Sequence, residues 1–120
     1  MTDPTEHEEQ VALFQWAEVA KKKYPQLANM IAVPNGGHRH ISVARKLKAE
    51  GVKSGYPDIL LDWPSGIYHG LRIELKRRKG GVISASQKVW LERLNAAGYL
   101  AMVCRGWDEA REAIENYLDA

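Results

Sequence analysis

The chain reads as an α/β protein, a mixed central β-sheet flanked by helices, and three observations predict it. Apolar runs of strand length recur near residues 30–33, 59–63, 68–76 and 99–104. Stretches with helical spacing of apolar residues separate and follow them. Two of the strands join through Pro64-Ser65-Gly66, a turn that makes an antiparallel hairpin, whereas the next two join through a helix, which suits a parallel, right-handed crossover. At 120 residues the chain fits one domain, expected to span 1–120.

Each element follows from local signals. Thr5 is placed to cap a first helix, with Glu8 at the capping-box position. That helix is expected to run to about Tyr24, where Pro25 stops it, with Leu13, Phe14, Ala17, Ala20 and Tyr24 facing inward. Stepping back from that stripe by helical turns reaches Gln10 and then Glu6. Met30 to Val33 reads as a short strand ended by Pro34, and Asn35-Gly36-Gly37-His38-Arg39-His40 as a loop. Ile41 to Glu50 reads as a short helix closed by Gly51. The hairpin strands are Ile59–Trp63 and Tyr68–Lys76. Gly80-Gly81 breaks the chain. Ser84 then caps a helix with Gln87 as its capping-box partner, and Trp90, Leu91, Leu94 and Ala97 share one face before Gly98. Tyr99 to Cys104 reads as a buried strand. Trp107 to Leu118 reads as a last helix with Trp107, Ala110, Ile114 and Tyr117 inward.

Composition narrows the class. With 45% apolar and 27% charged residues the chain is ordinary for a soluble globular protein. A net charge of +2 does not by itself establish a nucleic-acid ligand. The basic residues do cluster, at Lys21 to Lys23, Arg39 to Lys48, and Lys76 to Lys79. The one cysteine, Cys104, sits in an apolar strand, so an internal disulfide is excluded and a core role is expected. The polar, acidic start is no signal peptide, and no apolar run has membrane-spanning length, so a cytoplasmic protein is expected.

The chemistry concentrates on the hairpin. Glu74 and Lys76 are two residues apart on one strand and share a face, while Leu75 points the other way. Asp58 enters at the start of the preceding strand. The alternation alone describes an exposed strand face equally well. If the three groups converge, the cluster is costly without a cation, a substrate or water. An all-oxygen site suits Mg²⁺ or Mn²⁺. Zinc fits poorly, because His7, His38, His40 and His69 are scattered. A lysine beside such a site can orient a water or steady charge on a phosphate. Acids, lysine and basic flanks together suit phosphodiester hydrolysis, and no nucleophilic Ser or Cys constellation is visible.

Pro57-Asp58 followed by Glu74-Leu75-Lys76 resembles the PD-(D/E)xK nuclease motif. Gly55-Tyr56-Pro57-Asp58, Gly70 to Lys76, Ser84-Ala85-Ser86-Gln87 with Trp90-Leu91 and Leu94, and Ala97-Gly98-Tyr99 resemble the VRR-NUC branch of that superfamily. Thr5-Glu6 through Gln10 and Val33 to Gly37 are similar to its small stand-alone phage and bacterial members. The resemblance implies a mixed sheet flanked by helices and a Mg²⁺- or Mn²⁺-dependent DNA endonuclease, selective for branched or flapped DNA such as a Holliday junction. It implies Asp58, Glu74, the backbone carbonyl of Leu75 and Glu6 as metal ligands, Lys76 as the catalytic lysine, and Gln87 at the edge of the site. It also implies a homodimer, since a two-fold junction suits a two-fold protein.

Alternatives stand beside several of these positions. Gln87 has a structural role available as a capping partner, and Glu9 is the alternative to Glu6. Asn35, His38 and Arg39 are either a solvated turn or DNA contacts. Lys46, Lys48, Lys53, Arg77, Arg78 and Lys79 are placed to meet phosphates without reading sequence. The alternative function is a catalytically silent DNA-binding module with the nuclease fold. The apolar hairpin and the final strand-helix pair argue against a helix-turn-helix regulator.

Overall fold

A computed structural model of the chain describes residues 2–34 and 40–120. Its order is α1 (Glu6–Ala20), a 3-10 turn (Pro25–Asn29), β1 (Met30–Ala32), α2 (Ile41–Ala49), β2 (Ile59–Leu61), β3 (Leu71–Lys76), α3 (Ala85–Ala96), β4 (Leu100–Arg105) and α4 (Trp107–Asp119). The four strands lie in sequence order across one sheet. β1 pairs antiparallel with β2, β2 antiparallel with β3, and β3 parallel with β4. The helix-linked pair is parallel and the turn-linked pair antiparallel, as the connections predict.

Local chemistry places the helix starts. The Thr5 hydroxyl accepts from the Glu8 amide at 3.1 Å, and the Glu8 carboxylate accepts from the Thr5 amide at 2.9 Å. Ser84 and Gln87 form the same reciprocal pair at 3.2 and 2.8 Å. Each box satisfies two amides that the first helical turn leaves without an intrahelical acceptor.

The end of α1 differs from expectation. The helix stops at Ala20 and a turn covers Lys21 to Lys23. Pro25 opens the 3-10 turn instead of merely ending the helix, because its locked φ and missing N–H suit a first helical position. Tyr24 is still buried there, and its hydroxyl donates to Asp119 at 2.9 Å, tying the turn to the end of α4.

The core joins Leu13 and Ala17 of α1, Leu71, Ile73 and Leu75 of β3, and Ala110, Ile114 and Tyr117 of α4. Cys104 belongs to it, and burial pushes its thiol up to about 12. α3 lies against β4. α2 buries none of its residues, so it sits as an appendage between β1 and β2. Among the described residues no helix is long and apolar enough to cross a membrane.

Candidate active site

The register of the sheet builds the site. Ile59 pairs with Ile73 and Leu61 with Leu71, so continuing the ladder by one position sets Asp58 opposite Glu74. Two further bonds hold Asp58. Its carbonyl accepts from the Val33 amide at 2.7 Å, at the end of β1. Its carboxylate accepts from the Leu75 amide at 3.0 Å. The amide and carbonyl of one strand residue point to the same edge, so the Leu75 carbonyl also lies on the Asp58 side. Glu6, the first residue of α1, supplies a third carboxylate. One oxygen each from Glu6, Asp58 and Glu74 lies within 4.8 Å of the others.

β3 is buried along its whole length, including the polar face that alternation leaves undecided. Arg72 is 6% exposed, Glu74 2% and Lys76 9%. The two sites of charge on this face are handled differently. Arg72 is fully engaged, with Asp62 at 3.1 Å, the Tyr56 hydroxyl at 3.2 Å, and the Tyr99 ring 4.5 Å from the guanidinium carbon. That is a structural clamp, and it fixes the tyrosine two residues before Asp58.

Glu74 is in the opposite condition. Burial pushes its carboxyl up to about 9, helped by a hydrogen bond shared with Asp58 and by that acid's charge, with Glu6 adding to the effect and Lys76 opposing it. Burial also raises Glu6, again with Asp58 adding and Lys76 opposing. Burial and the two neighbouring carboxylates therefore favour the protonated form of Glu74. A hard divalent cation could take that proton's place, since the donors are all oxygens and one is offered from each of three separate segments. The residues present fit such an ion.

Glu9 does a separate job. It is 1% exposed, forms an ion pair with Arg78 at 2.8 Å, and accepts from the Trp107 amide at 3.2 Å. Arg78 also pairs with Asp108 at 2.9 Å. Of the two acids, Glu6 joins the carboxylate cluster, whereas Glu9 ties α1 to the residue two past β3 and to the start of α4. Helical spacing carries the signal for Glu9, one turn before the buried Leu13 and two before Ala17. Arg78, expected on a phosphate-binding surface, is instead committed to these two acids.

The remaining expected residues are spread out. Gln87 is on the first turn of α3, with its side chain in the capping box. Its helix start abuts the loop before Asp58, where a Cβ on Gly55 would come within 2.6 Å of the Ser86 backbone. Arg77 follows β3 and is exposed, as are Lys46 on α2 and Lys53 in the loop after it. Asn35, His38 and Arg39 lie outside the described residues. Trp16 and Trp107 pack on the core, whereas Trp90 does not join it.

The VRR-NUC domain model matches residues 3–108. A solved structure described as a VRR_NUC domain protein shares the fold with a TM-score of 0.85 and 34% identity, covering 98% of this chain and 91% of that one. No curated protein matches the chain. The matched residues include α1, the hairpin and α3, which carry every described member of the carboxylate cluster, and the chain belongs to the VRR-NUC family of nuclease domains.

Proposed function

We propose that the protein is a Mg²⁺- or Mn²⁺-dependent DNA endonuclease that hydrolyses phosphodiester bonds in branched or flapped DNA. The observation that carries this reading is the convergence of Glu6, Asp58 and Glu74 beside Lys76. Asp58, Glu74, Glu6 and the Leu75 carbonyl would hold the ion. A divalent cation there supplies charge to the scissile phosphate and acidifies water.

The chain's own residues do the rest. Lys76 is held almost out of solvent at the end of β3, where the Gly106 amide donates to its carbonyl at 2.9 Å. From that fixed strand its ammonium positions the attacking water against the phosphorus and offsets the charge that grows on the phosphoryl oxygens. Gln87, whose backbone abuts the loop that leads to Asp58, is assigned to the edge of the site. Arg77, Lys46 and Lys53 meet phosphates outside it, and a second copy of the chain completes the grip on a branched duplex.

Cleavage of labelled four-way junction, flap and linear duplex, with Mg²⁺, Mn²⁺ or EDTA, tests this. Wild type should cut a branched substrate, and both EDTA and Lys76→Ala should abolish cutting while binding survives. Binding without cutting under either metal would instead establish a silent DNA-binding module.

A further inference from the structure

Apart from Lys53 at its rim, a cleft beside the loop that leads to Asp58 has no part in the roles above. It lies between α2 and α3, in two joined cavities of about 410 and 670 Å³ that share Leu47, Val52, Lys53 and Trp90. The inner cavity is apolar apart from Lys53, which it shares with the outer one, and reaches Tyr56. The outer one carries Lys48, Lys53 and Arg93 at its rim, with Ser54 and Ser86. No acid lines either cavity among the described residues.

Its walls have the character of a binding site. Trp90 meets the Tyr56 ring edge-on, with centroids 5.1 Å apart, and the Arg93 guanidinium lies 5.7 Å from the Trp90 centroid. An indole that helical spacing points toward the core is therefore left half-buried, facing a cleft. The opposite wall, α2, buries none of its own residues, and its Ile41 and Val43 are exposed. The cleft adjoins the segment that leads to the acidic cluster, because Tyr56 on its wall precedes Asp58 by two residues.

The occupant must match both halves. The inner volume, with its apolar lining, rejects a phosphate but accepts a flat π-face. The rim is cationic without an acid to balance it, so a second copy pressed face to face here would set cations against cations. An anion with an attached aromatic ring satisfies both. We propose that the cleft takes an unpaired base of a DNA strand, stacked against Trp90, with the neighbouring phosphates on Lys48, Lys53 and Arg93. The inference rests on the DNA-nuclease reading and adds a cause for substrate choice. A continuous duplex keeps its bases paired, whereas a flap or a branch point offers one free.

The test is equilibrium binding in EDTA, at fixed salt, of a labelled oligothymidylate and a labelled duplex of equal length. Val52→Trp fills the cleft from an exposed position and should leave the core intact, which thermal melting checks. Wild type should bind the single strand. Val52→Trp should weaken that binding roughly tenfold while changing duplex affinity less than about twofold. Trp90→Tyr should keep single-strand binding and Trp90→Ala lose it, both at wild-type fold content. The proposal is overturned if Val52→Trp weakens both DNA forms equally or neither. It is also overturned if the substitution dissolves a dimer and leaves both affinities unchanged, since the face then belongs to a second copy. Duplex binding without single-strand binding would sink this inference alone; absence of binding to any DNA would sink the nuclease reading with it.

Discussion

Asp58 is fastened to the strand that carries Glu74: its carboxylate accepts the Leu75 amide at 3.0 Å, one residue past the acid it faces. The same oxygen pair therefore serves the fold and the cluster. An asparagine can accept that bond through its amide oxygen, while alanine leaves the amide without a partner. Asp58→Asn should retain wild-type stability to within about 0.5 kcal/mol, and Asp58→Ala should lose about 1–2 kcal/mol more. Both should be inactive, and both should bind Mn²⁺ more weakly. Urea denaturation and metal titration separate the two effects; equal stability of the two variants would show that the bond does not support the fold.

Lys76 has a buried stem and an ammonium that opposes the upward shift of the Glu74 and Glu6 carboxyls. Lys76→Met keeps the stem and removes the charge. Cleavage should fall by roughly 10²–10⁴-fold with DNA affinity changed far less. Lys76→Arg should not restore it, because a planar guanidinium cannot take the place of a compact ammonium in a packed site. Single-turnover cleavage at saturating enzyme is the measurement, and full activity in Lys76→Arg would argue that only a diffuse positive charge is needed.

Much of this architecture is legible in the sequence because its causes are local. The two capping boxes and the alternation in β3 are settled within a few residues, and they place Glu74 and Lys76 on a common face before any tertiary contact is known, whereas the hairpin strands are shorter than expected, β2 ending at Leu61 and β3 starting at Leu71 with the tight turn between Ser65 and Tyr68. Burial of that face is not local. Alternation is identical for a solvated strand and for one covered by its neighbours, and only the central position of β3 between β2 and β4 decides it. Arg78 has the same difficulty. Inside the run Lys76 to Lys79 it resembles a phosphate contact, but its partners Glu9 and Asp108 come from distant segments. Trp90 has helical spacing toward a core, yet it lines a cleft opposite α2, none of whose residues is buried. Family resemblance, not periodicity, points to Glu6 over Glu9.

The pH response of the metal-free protein follows from Glu74. Its carboxyl is pushed from an ordinary 4.5 up to about 9, chiefly by burial and then by the bond and charge of Asp58. Between those values the folded state keeps a proton that the unfolded chain releases. This group's contribution therefore makes stability fall as pH rises from about 4.5 toward about 9. Glu74→Gln, which mimics the protonated acid, should flatten that fall. Mg²⁺ or Mn²⁺ should raise the melting temperature more above neutrality than at mildly acid pH, because the ion competes with the proton. Melting curves in EDTA and in metal across the pH range check both; a metal shift independent of pH would place the ion elsewhere.

The Glu9–Arg78 pair should be structural, not catalytic. Arg78→Ala leaves a fully buried carboxylate facing only the Trp107 amide. It should lower stability, but by less than breaking a fully buried pair would, because Arg78 is about a third exposed. The Glu9→Leu, Arg78→Leu double variant should recover part of that loss. Melting temperature reads the cost, and cleavage measured well below the transition should stay close to wild type in the double variant. A double variant that is stable yet inactive would show that this pair sets the position of Glu6.

Gly55 couples the Asp58 loop to the start of α3 through close approach. Its φ is +89°, and a Cβ there would meet the Ser86 carbonyl carbon at 2.6 Å and the Gln87 amide nitrogen at 2.8 Å. Gly51 has a similar φ of +97° but nothing within 4 Å of an added Cβ. Gly51→Ala should therefore cost only the backbone strain, about 1–2 kcal/mol. Gly55→Ala carries that strain and also must push α3 off the loop, so it should cost roughly 2–4 kcal/mol. The displaced loop takes Asp58 with it, so cleavage should drop at least tenfold in Gly55→Ala at a temperature where both variants are folded. Comparing the two alanine variants by denaturation and by cleavage isolates the packing from the dihedral. Equal stability and equal activity in both would mean that the contact between the loop and α3 does not hold Asp58 in place.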